Sequence, residues 1–163
     1  MKNKFYFFIA ISIFYINIYS QNINPFQSGE WLKYKITYSG IFKAGEATVK
    51  LTDGILNNKM VFHAKMNARS TGAVNLFFKV KDRYESFFTP KDIIPLKFIR
   101  DIDEGGYTKN LNILFDDTKS TATVIDFKKN KRFNFSTNKN IQDMVSVFYY
   151  LRSFFKMEDL NEN

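Results

Sequence analysis

The sequence contains no cysteine and a single histidine, His63, in 163 residues. No disulfide can form, and a lipid anchor through a cysteine is excluded. A closed zinc site is excluded too, because any imidazole-based metal site or Ser-His-Asp triad would have to use His63 alone. There is no Walker loop, no dinucleotide fingerprint and no nucleophile elbow. Internal repeats, linkers and low-complexity tracts are also missing. The sequence therefore predicts no catalytic residue, no cofactor and no metal.

The N-terminus is better defined. Lys2 and Lys4 precede an apolar run from Phe5 to Ile18 that only Ser12 and Asn17 interrupt, and the small residue Ser20 follows. This is the layout of a secretory signal peptide. The run is shorter than the ~20 residues of a spanning helix, although a retained anchor is the competing reading. The expectation is a signal peptide over residues 1–20 and a single β-rich domain over residues 21–163. The chain is then exported, to the periplasm or the outer membrane, where without cysteines it must be held by packing alone.

The formal net charge is +8, and it stays positive without Lys2 and Lys4. A basic exported chain has anionic membrane surfaces as expected partners. Nucleic acid is not expected, because the lysines are spread along the chain and export separates the two. The competing reading is that scattered lysine keeps an aromatic-rich protein soluble. There are 19 Phe, 9 Tyr and one Trp, which suits a pleated structure with much interior to fill or a cavity for an apolar ligand.

Period-two alternation dominates from residue 30 onward. Leu32, Tyr34, Ile36 and Tyr38 alternate with Trp31, Lys33, Lys35 and Thr37. The same pattern predicts strands over residues 45–51, 60–69, 77–88, 95–103, 107–115, 121–127 and 131–136, with turns at Asp53-Gly54, Asn57-Asn58 and Gly105-Gly106. Residues 141–156 switch to helical spacing through Ile141, Met144, Val145, Phe148, Leu151 and Phe155, with Asn140 as the expected cap. The fold class is mainly β: a curled antiparallel sheet, β-roll or open and barrel-like, with one C-terminal helix.

Few polar residues invite a role. His63 falls on the polar side of its strand beside Lys65 and Asn67 and reads as solvated. Asp101, Asp103 and Glu104 form an acidic cluster before Gly105-Gly106 that lacks EF-hand spacing and reads as a charged strand end. Asn134-Phe135-Ser136 matches the short glycosylation pattern, relevant only in a eukaryotic secretory pathway. Asp82 and Arg100 each sit on the apolar side of neighbouring strands. An inward charge needs a partner, so the pair is expected to bond and fix the register; a polar site within a cavity is the alternative.

The order of several pieces resembles a family of exported envelope proteins known as domain-of-unknown-function family 3108. They are Pro25-Phe26, Gly29-Glu30, Leu32, Tyr34, Tyr38, Gly40 and Gly45; then Asp82-Arg83-Tyr84, Ser86, Pro95, Phe98, Arg100, Glu104 and Gly105; and finally Asp143, Tyr149, Tyr150 and Arg152. The resemblance implies a curled antiparallel β-structure with little helix, and no activity. The resembling proteins continue with further strands where this sequence stops at Asn163, which implies a short variant or a truncated product, with an exposed patch around Phe154. The expected function is a non-enzymatic binding or structural β-module with an aromatic interior, whose partner is an apolar or amphiphilic ligand or an envelope protein. The alternative is a hydrolase of envelope glycan or lipid that pairs carboxylates among Asp82, Asp101, Asp103 and Glu104.

Overall fold

A computed structural model of the chain describes residues 25–39 and 42–154. The expected signal peptide lies outside these residues. Eight antiparallel strands form one sheet in chain order: β1 (Trp31–Tyr38), β2 (Phe42–Leu56), β3 (Lys59–Ser70), β4 (Val80–Phe88), β5 (Pro95–Glu104), β6 (Tyr107–Asp116), β7 (Thr121–Asp126) and β8 (Lys131–Ser136). The meander is open, with β1 and β8 as its edges. A one-turn helix, α1 (Val74–Phe77), links β3 to β4, and α2 (Ser146–Phe154) follows the sheet. No helix among the described residues is long and apolar enough to cross a membrane.

Alternation gives the sheet two chemically different faces, and the register lines them up strand by strand. On the apolar face one row runs Leu51–Ala64–Ser86–Phe98–Ile113–Val124–Phe133 from β2 to β8. Helix α2 and the segment before β1 cover the β2–β5 part. Tyr149 meets Phe26 at 4.9 Å and Phe88 at 5.3 Å between ring centroids, and Val49, Leu51, Ala64 and Val145 complete the core. The two covering pieces are tied together by Arg152, which donates to both carboxylate oxygens of Glu30 at 2.6 and 2.7 Å.

Several local expectations are corrected. Strand β2 runs through Asp53-Gly54, and the chain turns at Asn57-Asn58, both in the left-handed region. Residues 74–77 are helical, so β4 begins at Val80 rather than at Phe77. Helix α2 begins at Ser146, five residues later than the spacing predicted. Its cap is Asp143, not Asn140: the Oδ1 of Asp143 accepts from the backbone N–H of Val145 and Ser146, each at 2.8 Å. Ser86 donates to the other oxygen at 2.6 Å. The packed stripe differs from the expected one: Tyr149 is buried, whereas Met144 and Leu151 are exposed; Phe154 is exposed, as expected. Residues 155–156 of the expected helix lie outside the described residues.

Two packing predictions follow from this core. Phe88→Ala removes a fully buried ring beneath α2 and is expected to lower stability by ~3–5 kcal/mol in denaturant unfolding. Among the described residues the buried Tyr149 hydroxyl has no hydrogen-bond partner, and burial pushes its pKa up. Tyr149→Phe is therefore expected to unfold within ~1 kcal/mol of the parent, or to be more stable. A loss as large as that of Phe88→Ala would show that the hydroxyl is bonded.

Candidate functional site

The sequence-predicted polar residues divide between the faces. Asp82, Arg100 and Glu104 alternate with apolar neighbours on the apolar face, whereas Asp101, Asp103 and His63 belong to the polar face. Asp82 is buried and lies opposite Ile102, while Arg100 lies opposite Tyr84, so the two charges are offset by two residues. No ion pair joins them. The Asp82 carboxylate accepts from the Tyr84 hydroxyl and from the Asp103 backbone N–H, both at 3.3 Å, and the buried Arg100 Nε has no partner among the described residues. Burial, helped by the adjacent Glu104 carboxylate, raises the pKa of Asp82 above the usual carboxylate range.

The polar face holds a network that sequence reasoning missed. Glu46 on β2 is buried under three cations: Lys33 at 3.3 Å, Lys43 at 3.1 Å, and Arg69, whose Nε donates at 2.8 Å. The hydrogen bonds from Arg69, Lys43 and Lys33 lower the Glu46 pKa to about 2. Glu85 on β4 is also buried. Burial opposes its ionisation, but His63 at 2.7 Å and Arg83 at 2.5 Å outweigh that cost, and its pKa is lowered. Arg83 continues to Asp101 at 2.8 Å, and Asn110 donates to Asp101 at 3.4 Å. His63 is thus not a solvated side chain: its ring is also stacked on Phe87 at 4.2 Å.

Above this network the sheet curls into a cleft of about 540 Å³. Its lining includes Glu46, Asn67, Arg69, Lys81, Arg83 and Asp101, and also Lys128 from the turn after β7. Residues as far apart in the sheet as β2 and the β7–β8 turn meet in one concavity because the sheet is strongly bent. Among the described residues no cluster of acidic or imidazole side chains could hold a metal ion. Three of the four candidate carboxylates, Asp82, Asp101 and Asp103, line this cleft, but each is engaged: Asp101 by Arg83 and Asn110, Asp103 by the Gly106 backbone N–H, and Asp82 by the Tyr84 hydroxyl and the Asp103 backbone N–H. That is a poor arrangement for acid–base chemistry across one bond.

The apolar face holds the second feature. The row that is fully buried at Leu51, Ala64 and Ser86 ends with Phe133 44% exposed, and Phe135 beside it is 53% exposed. Helix α2 also meets Tyr34 of β1, at 6.3 Å between the Phe148 and Tyr34 rings, and Ile113 and Phe115 of β6 pack against the edge of the core; among the described residues the β8 end of the row is left open.

A family model matches residues 33–162, under the description protein of unknown function (DUF3108). The chain belongs to this family. No curated protein and no solved structure matches it. The family's description names no activity.

The polar network has a pH signature. The Glu46 carboxyl titrates lower in the folded chain than its ordinary 4.5. Its stabilisation is therefore complete above about pH 4.5 and is lost as the pH falls toward 2. Glu46→Gln is expected to lower the melting temperature at neutral pH and to flatten the acid side of the curve. Melting curves of parent and variant that stay parallel from neutral pH down to pH 2 would contradict this.

Proposed function

We propose that the protein is an exported, non-enzymatic binding module of the cell envelope. Its apolar strip on β6–β8, open at the β8 end, receives an apolar or amphiphilic ligand. The observation that carries this reading is the apolar row itself. The alternation that builds the core continues through Ile113, which packs against the edge of the core, to Val124 and Phe133 beyond it. Apolar residues held in register without a cover are the usual mark of a binding surface.

The charge around the strip favours an amphiphile with an anionic head. Lys131 lies two residues before Phe133 on the same face of β8. The nearby acid, Asp126, is occupied by the backbone N–H groups of Lys128 and Lys129, each at 3.0 Å. The rival reading, a hydrolase with paired carboxylates, is weaker because Asp101 is committed to Arg83 and Asn110.

Native mass spectrometry and organic extraction of the purified chain test the ligand. A bound amphiphile is expected, depleted about tenfold or more in Phe133→Ser/Phe135→Ser, since each ring contributes on the order of 1–2 kcal/mol of apolar contact. Solvent and buffer alone in both proteins would refute ligand carriage. Export has its own test. N-terminal sequencing of the envelope fraction is expected to begin near Gln21, and a mature species starting at Met1 would overturn the cleavage.

A further inference from the structure

The hairpins β1–β2, β5–β6 and β7–β8 and the α1 connection all lie at one end of the sheet, and that end is unusually apolar. Leu76 and Phe77 on α1 are 81% and 89% exposed, and Phe78, Tyr38, Phe42 and Tyr107 beside them are exposed as well.

This exposure does not come from a loose loop. The Thr71 backbone N–H donates to the Ala44 carbonyl at 3.0 Å, and that of Gly105 to the Lys79 carbonyl at 2.8 Å. Ser70 donates to the Asn75 side chain at 2.9 Å. The Phe78 ring lies so close over Gly105 that a Cβ there would meet it at 2.5 Å. The backbone is pinned on both sides, and the side chains are presented outward.

The rim is basic. Lys35, Lys43, Arg69, Lys79 and Lys81 surround the crown and are exposed. The acids at the same end are Glu46, Asp82, Asp103, Glu104 and Asp126, the last of which accepts from the Lys128 and Lys129 backbone. Glu46 is spent on Lys33, Lys43 and Arg69, Asp82 is buried, and Asp103 accepts from the Gly106 backbone at 3.3 Å.

We infer that this end of the sheet docks on an anionic lipid bilayer, with Leu76 and Phe77 entering the interface and the lysine rim meeting the headgroups. A rigid apolar tip within a cationic ring matches the two forces that hold a peripheral protein to such a surface: burial of apolar area and attraction to anionic lipid. A protein partner would not need a ring of cations around the apolar tip. The inference does not rest on a ligand at β6–β8, which lies on the face of the sheet and not at its end.

The chain has no native cysteine, so a single introduced one reports its position. An environment-sensitive dye is placed on the full chain at Val74→Cys within the crown, or at Lys59→Cys at the opposite end. Both are mixed with vesicles of phosphatidylethanolamine and phosphatidylglycerol, or of phosphatidylcholine alone. The dye at position 74 is expected to shift to the blue on the anionic vesicles, weakly on phosphatidylcholine, and less as salt is raised. The dye at position 59 is expected to stay aqueous. Adding Leu76→Ser/Phe77→Ser to the position-74 chain is expected to reduce the lipid signal about tenfold or more, with the melting temperature unchanged. A dye at position 74 that stays aqueous while the chain sediments with vesicles would overturn the inference, because attachment then runs through another segment. Equal shifts at positions 59 and 74, or a signal untouched by Leu76→Ser/Phe77→Ser, would overturn it as well.

Discussion

The bond on which the covered half of the sheet depends is the fork between Arg152 and Glu30. Helix α2 is nine residues long, too short to be stable by its own hydrogen bonds. It stays on the sheet because Val145 and Tyr149 are buried there and because Arg152 reaches a residue 122 positions away in sequence. The same guanidinium donates to the Pro25 carbonyl at 3.2 Å and lies over the rings of Phe26, Phe148 and Tyr149 at 5.3–5.7 Å. One side chain thus fixes the helix, orders the segment before β1 and shields the ring cluster. Both partners are mostly withdrawn from water, so losing either one would strand the other charge.

This clamp also sets the limit of the cover. A nine-residue helix is about 14 Å long, while eight strands spaced ~4.8 Å apart span more than twice that. The packed core reaches from Leu32 and Tyr34 on β1 to Ile113 and Phe115 on β6. The open end of the strip at Phe133 and Phe135 is therefore a consequence of proportion: these residues keep the core pattern, but they are exposed among the described residues. On the other face the curl concentrates charge. Two buried carboxylates, Glu46 and Glu85, gather cations from β1, β2, β3 and β4. A bend that brings like charges together needs such counter-ions, which explains why the acids rather than the cations are buried there.

The strands were legible in the sequence because alternation is local, and the end residues of β3, β5, β6, β7 and β8 fall within a residue or so of expectation. The helix was legible in kind but not in phase. Ile141 and Met144 fit a 3.6 period by chance, and the cap at Asp143 depends on Ser86, which is 57 residues distant. The polar network was hidden for a related reason. His63 looks solvated beside Lys65 and Asn67, and only the β3–β4 register puts it within reach of Glu85. Lys65 sits directly opposite Glu85, so a register drawn from the predicted strands would have brought an acid into that neighbourhood. The expected bond between Asp82 and Arg100 needed the register to within two residues, and the Phe87/Phe88 bulge together with Pro95 decides it.

The crown at the sheet end shows how this fold separates shape from surface. Ordering in the α1 connection comes from polar groups: Ser70 donates to Asn75 and accepts from the Val80 backbone at 2.9 Å, while Thr71 and Gly105 bond to neighbouring backbone. Leu76 and Phe77 contribute almost no burial to the fold. A position that folding does not use is free to be polar, and water favours its being polar. Two adjacent large apolar side chains on a pinned backbone, ringed by lysine and repeated by no other connection in the described chain, are therefore better explained by what meets the surface than by what builds it. The core residues answer to Arg152 and Glu30, and the crown answers to something outside the molecule.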